Sequence, residues 1–319
     1  MHAPPRTSHA ISTRRRLPAA LLALAAAAGC GAGGATGATD GGTGAGTTAT
    51  GGATSGGPAG DLPPPAEGQF DLLVYNVAGL PQGISGSDPV TNIPMMSPLL
   101  NDYDLVLVQE DFAYHDALAK DATHPYQSEP KPPGGGTDLG DGLNRFSVFP
   151  FTDFERHAWE QCSGTFDMGS DCLTSKGFSV ALHELAPGIL VDVYNLHMDA
   201  GSAPDDVAAR KAQVAQLLGT IASRSQGRAL IVAGDTNMDE EDEPDLQTLL
   251  AGAGLTDVCR ALDCPDPDRI DRAMFRSSQQ VAIVPEAWWL DDAFVTPSGD
   301  PLSDHEAVAV TLRFVSPPP

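Results

Sequence analysis

The stretch IVAGDTNMD (231–239) sets Asp235 and Asn237 directly behind an apolar run and a glycine. The arrangement recurs along the chain. Asn76 ends FDLLVYN, Glu110 ends DLVLVQE, His197 closes ILVDVYNLH, Asp271 lies in RIDR, and Asp304 and His305 sit in SDHEAV. Carboxylate and amide oxygens are hard donors of the kind Mg2+ takes, and an Asp with a His can hold or move a proton. Each stretch also has a plainer reading. Asp and Asn are ordinary turn residues, a Glu at a strand's end is usually solvated, and a lone His is more often structural than catalytic.

Several elements must position these groups. FDLLVYNVAGLP (70–81), YDLVLVQED (103–111), FSVALHEL (178–185), GILVDVYNLHMDAG (188–201), RALIVAGD (228–235) and VAVTLRFV (308–315) read as strands. Pro204, Asp205 and Asp206 suit the first turn of a helix, along which Val207, Val214, Leu218 and Ile221 recur on one face. DLQTLLAGAG (245–254) is a short helix stopped by glycine. The mixture predicts layered α/β, and in such folds the carboxyl ends of strands are where ligands bind.

In order and type, the strand-exit residues resemble the signature of the endonuclease/exonuclease/phosphatase superfamily, from about Phe70 to Val315. The resemblance implies a deoxyribonuclease I-like fold, α/β, with two mixed sheets in a four-layer α/β/β/α sandwich. It implies a Mg2+-dependent phosphodiesterase, with Mn2+ or Ca2+ as alternative ions, in which water attacks in line. That chemistry needs an activated water, neutralised phosphoryl oxygens and help to the leaving oxygen. By the same resemblance Glu110 is the principal metal ligand with Asn76 beside it, and Asp304 pairs the His305 ring or serves a second metal. Asp235 orients or deprotonates the water, Asn237 holds the phosphate or nucleophile, and His305 stabilises the transition state. His197 donates to a phosphoryl oxygen or assists the leaving group, and Asp271 orients a catalytic histidine. SKGF (175–178) and YNLHMDAG (194–201) resemble stretches of sphingomyelinase-like members. They make Lys176 a candidate substrate contact and favour phospholipid over nucleic acid. A secreted nuclease and a catalytically silent surface-binding module of the same fold are the alternatives.

The chain has 319 residues, 18 of them basic and 42 acidic. Removing the four arginines of residues 1–30 leaves 14 basic residues and a formal charge of −28, which repels polyanions at long range. Cys162 with Cys172 and Cys259 with Cys264 are spaced for two loop-closing disulfides, and poorly for a four-ligand zinc site. Trp288 and Trp289 read as a strand packing one ring inward, ahead of a lipid-dipping pair. The acidic run DEEDE (239–243) reads as a solvated face rather than a calcium loop.

Residues 1–30 have the layout of an export signal: Arg14, Arg15 and Arg16, an apolar stretch too short to anchor stably, then AAGC. AAGC resembles a bacterial lipobox, which predicts lipid attachment at Cys30 and an exported, envelope-bound or secreted protein. Residues 31–68 are rich in Gly, Ala and Thr and read as a disordered tether, with thirty of them spanning about 30 Å as a flexible coil. Residues 69–316 are then the catalytic domain. No protein partner is evident. Lipidation predicts a mature intact mass that begins at Cys30 and carries the lipid, whereas unmodified Cys30 or a cut elsewhere removes the anchor.

Overall fold

The computed structural model describes residues 65–132, 134, 139–164, 172 and 174–317. The expected signal segment, the Cys30 lipobox and the tether through residue 64 lie outside the described residues. The tether's expected last residues belong instead to the first strand, where Ala66, Glu67 and Gly68 pair with Ser316, Val315 and Phe314. Chain order runs β1 (Ala66–Asn76), α1 (Pro89–Leu99), β2 (Leu105–Gln109), α2 (His115–Ala119), β3 (Tyr126–Gln127), β4 (Asn144–Ser147), β5 (Phe151–Ala158) and β6 (Gly177–Ala186). It continues with β7 (Ile189–His197), α3 (Pro204–Arg224), β8 (Leu230–Asp235), α4 (Glu243–Ala253), β9 (Thr256–Asp257), α5 (Val258–Ala261), β10 (Asp271–Arg276), β11 (Ala282–Leu290) and β12 (Val308–Ser316).

The strands form two six-stranded sheets, ordered β11-β12-β1-β2-β4-β3 and β5-β6-β7-β8-β10-β9. Each has one parallel pair at its centre, β1 with β2 and β7 with β8, flanked by antiparallel neighbours. Leu72, Val74, Leu105 and Leu107 share one buried core with Val191, Val193, Ile231 and Ala233, so the sheets pack face to face. The alternate residues face outward. Leu73, Tyr75, Val106 and Val108 cluster with Ile93 and Met96 of α1, and Tyr194, Leu196 and Val232 with Val214, Leu217, Leu246 and Leu249 of α3 and α4. The expected four layers, α/β/β/α, are what this alternation builds.

Period-2 alternation also places the polar strand exits. Two steps beyond Val74 the inward face reaches Asn76, and two beyond Ala233 it reaches Asp235. On β7 it passes from Val193 through Asn195 to His197, and β10 runs antiparallel to β8 so that Asp271 pairs with Asp235. The inter-sheet core thus ends in a polar rim.

Several local expectations change. The buried stripe of α3 contains Val214, Leu217 and Ile221, while Val207 and Leu218 are half-buried, because Arg210 and Gln213 occupy the inner face. Arg210 binds Asp242 with two hydrogen bonds, of 3.1 and 2.7 Å, and both side chains are buried. Glu243 is likewise clasped by Arg260 at 2.8 and 2.7 Å. The acidic run is therefore only partly a solvated face. Trp288 packs on the inter-sheet core, and Trp289 packs on the outer core, stacked over Tyr103. Gly254 stops α4 in a left-handed conformation, φ 65°, as expected. Both expected disulfides, Cys162–Cys172 and Cys259–Cys264, are present.

Removing one partner of a buried ion pair leaves the other charge desolvated and alone. Arg210→Met is expected to lower stability by about 3–5 kcal/mol in urea unfolding; a loss under about 1 kcal/mol would show that Asp242 finds other donors.

Candidate active site

Two similar turns open the site. After β1, Asn76 Oδ1 accepts from the Ala78 amide at 3.1 Å, and Ala78 is left-handed, φ 48°. After β8, Asp235 Oδ1 accepts from the Asn237 amide at 3.0 Å, and Asn237 has φ 49°. Asn and Asp suit these positions because their side chains hold the turn themselves. Each turn occupies one side-chain atom and leaves the other facing across the sheets, where Asn76 Nδ2 donates to Asp235 Oδ2 at 3.1 Å.

Strand alternation alone would send Glu110, which follows Gln109, to the outer face. A left-handed backbone at Glu110, φ 57°, turns it back. Two glycines permit this: a Cβ on Gly79 would lie 2.4 Å from the Glu110 carbonyl oxygen, and one on Gly142 would lie 2.9 Å from Glu110 Cα. The Gly79 amide donates to that carbonyl at 3.0 Å. Glu110 Oε1 then accepts from Asn76 Nδ2 at 3.3 Å. Asn76, expected beside Glu110 among the metal ligands, directs its Nδ2 to the carboxylates of Glu110 and Asp235 and its Oδ1 to the Ala78 amide.

Asp235 Oδ2 is the meeting point. Besides Asn76, His197 Nε2 lies 3.3 Å from it and His305 Nε2 lies 3.8 Å from it. On its other edge the His305 ring bonds Asp271, Nδ1 to Oδ2 at 2.8 Å. Ser303 ties this loop to β1, donating to the Asn76 carbonyl at 2.7 Å while accepting from the His305 amide at 3.2 Å. Asn237 Nδ2 donates to the Met198 carbonyl at 3.0 Å, and buried Lys176 Nζ reaches the same carbonyl at 3.4 Å. Asp304 is exposed, accepts from Ser303 Oγ at 3.4 Å and faces Gly86.

The two histidines are shifted in opposite directions. Burial, with the Lys176 and His305 charges, pushes the His197 ring well below its ordinary pKa, so it is neutral. Burial also acts to lower His305, but the hydrogen bond and charge of Asp271, with Asp235 and Asp304, outweigh it and hold the ring at about 10. Burial and the Asp235 charge push Asp271 upward. Glu110 is also raised by burial, against the opposing effects of the Lys176 charge and the Asn76 hydrogen bond.

Asp235, Asp271 and His305 bring potential ligand atoms within 4.8 Å of one another. With the His305 ring protonated both of its nitrogens donate, so the same three groups also have the geometry of a proton relay. Glu110 also fits a hard divalent cation. Its carboxylate is desolvated, and a cation would offset the charge that burial disfavours.

The chain is 33% identical over 271 residues to a sphingomyelinase of Mycobacterium tuberculosis, covering 78% of this chain and 54% of that protein. The chain therefore spans about half the length of the curated relatives it matches. Humanized D. rerio TDP2 superposes with a TM-score of 0.59 at 19% identity, covering 76% of this chain and 98% of that one. Sphingomyelinase C from Streptomyces griseocarneus gives 0.57 at 18% identity, covering 76% and 99%. The fold is that of the endonuclease/exonuclease/phosphatase superfamily. No family model matches the chain.

Of the residues expected from sequence, the structure gathers Asn76, Glu110, His197, Asp235, Asp271 and His305 around one point. Lys176 and Asn237 meet at the Met198 carbonyl beside them, and Asp304 stands outside at the rim. Ser303, Gly79 and Gly142 were not foreseen, although Ser303 lies within the SDH triplet and a glycine beside a polar strand exit could have drawn attention. If Asp271 holds His305 charged, Asp271→Asn removes the charge opposing desolvation. The ring should then lose its proton at a pH several units below 10, read by NMR titration of His305. A midpoint that stays near 10 would assign the shift to other groups.

Proposed function

We propose that the chain is an exported, divalent-cation-dependent phosphodiesterase that hydrolyses phospholipids of the sphingomyelin type by direct attack of water. The observation that carries the chemistry is the set of nitrogens converging on Asp235 Oδ2, from Asn76, His197 and His305. Asp235 is the carboxylate that takes the water's proton, and Asn237, fixed through Met198, orients that water. His305, charged and held by Asp271, donates to a phosphoryl oxygen as negative charge grows there. Neutral His197 is a second donor to the same region. Lys176 adds positive charge on the side of Glu110 and His197.

Glu110 would hold the cation, with Asp304 at the rim as the residue for a second ion. When bound, Mg2+ supplies charge neutralisation at the phosphoryl and leaving oxygens. The lipid assignment rests on the sphingomyelinase relatives and on the SKGF and YNLHMDAG stretches. The acidity of the chain weighs against polynucleotides. Export and a membrane anchor at Cys30 belong to the same proposal, and among the described residues no helix is long and apolar enough to cross a membrane.

The mature protein is expected to release phosphocholine from sphingomyelin vesicles with Mg2+ and to stop in EDTA, without nicking plasmid DNA. Nicking without phosphocholine release would make it a nuclease, and inactivity on both would favour the silent module. Asp235→Asn and Glu110→Gln should each lower kcat by about 100-fold or more, with circular dichroism unchanged. Retained activity in both would sink the mechanism.

A further inference from the structure

Besides buried Arg145 of β4, which donates across the gap to the Val193 carbonyl at 3.0 Å and Ser179 Oγ at 2.8 Å, the inter-sheet core carries a polar contact one step below the site. There Gln109 of β2 and Asn195 of β7, both wholly buried, meet across the gap, with Gln109 Nε2 donating to Asn195 Oδ1 at 2.7 Å. Asn195 Nδ2 in turn donates to the Val108 carbonyl at 2.9 Å and the Asn144 carbonyl at 3.1 Å, both in the opposite sheet. One side chain of the second sheet thus holds two strands of the first.

Packing does not account for this pair. Gln109 Oε1 has no hydrogen-bond partner among the described residues, so burying the amide carries a desolvation cost that an apolar residue of similar length would avoid. What apolar contact lacks is direction. Apolar packing such as that of Leu107 and Val193 does not fix how far one sheet slides over the other, whereas hydrogen bonds fix position within tenths of an ångström, Arg145 doing so one step deeper and this pair directly beside the site.

The two residues stand where sliding would matter most. Gln109 pairs in register with Asn76 and precedes Glu110 in the chain. Asn195 pairs with Ala233 on the same strands that pair His197 with Asp235 two residues later. The clasp therefore ties the Glu110 and Asn76 half of the site to the His197 and Asp235 half at the level next to both. We infer that Gln109 and Asn195 are positioning residues that hold the cation-binding carboxylate in register with the water-activating one. The inference rests on the phosphodiesterase reading above.

Gln109→Met in the mature protein keeps length and volume and removes the donor. It should leave the melting temperature within a few degrees, lower kcat by about tenfold to 100-fold and leave KM within about twofold. Leu107→Ala, in the same core two residues earlier, is the control. It should lower the melting temperature much further and leave kcat per folded molecule unchanged. Full kcat in Gln109→Met, or kcat falling in both variants in step with their stability, would overturn the inference. Inactive wild-type protein would sink the phosphodiesterase reading instead. Calorimetry with Mg2+ alone then decides the clasp: about tenfold weaker binding in Gln109→Met upholds it, and equal binding overturns it.

Discussion

A single carboxylate oxygen, Asp235 Oδ2, constrains how the two sheets meet. It is buried, and a buried carboxylate is tolerated only where donors replace the water it has lost. The nitrogens around it come from three places far apart in sequence: Asn76 at the end of β1, which donates a hydrogen bond, and His197 at the end of β7 and His305 in the loop before β12, which bring their Nε2 atoms to 3.3 and 3.8 Å. Satisfying one charge therefore requires the exits of both central strand pairs to lie against each other. The chemistry proposed for the site uses the same geometry, since donors gathered around a carboxylate are also placed to receive a phosphoryl oxygen.

Charge is distributed unevenly around that oxygen. His197 and His305 both turn Nε2 toward Asp235, yet one ring is neutral and the other charged. The difference lies on their far sides: His305 Nδ1 meets the Asp271 carboxylate, whereas His197 Nδ1 is buried with no hydrogen-bond partner among the described residues. Identical side chains in one cluster acquire different states from the next group out, which separates their roles.

Support for the site reaches well behind it. Arg210 of α3, paired with Asp242, also donates to the carbonyls of Asp199 and Gly201, just past His197. Gln213, one turn on, exchanges hydrogen bonds with Asp199. The segment leaving β7 is thus fixed by polar side chains on the buried face of the helix. Residues that spoil the helix's apolar pattern are the ones that hold the loop beside Asn237 and Lys176.

Much of this was legible in the sequence. Near-continuous apolar runs located most of the six principal strands, because a strand between two packed layers must be apolar on both faces, and the polar residues ending them marked the edge where a site could form. Fold class and most of the cluster followed from that order of motifs. What sequence could not supply depends on backbone conformation and on contacts across the sheets. Glu110 faces inward only because its φ is positive between two close-packed glycines, a property that strand periodicity opposes. Asn76 offers nitrogen rather than oxygen to its neighbours because Ala78 has taken the oxygen. Gln109 and Asn195 looked like unremarkable polar residues in strands until the two sheets were stacked. Local pattern determines which face a residue takes; only the packing of distant strands decides what that face meets.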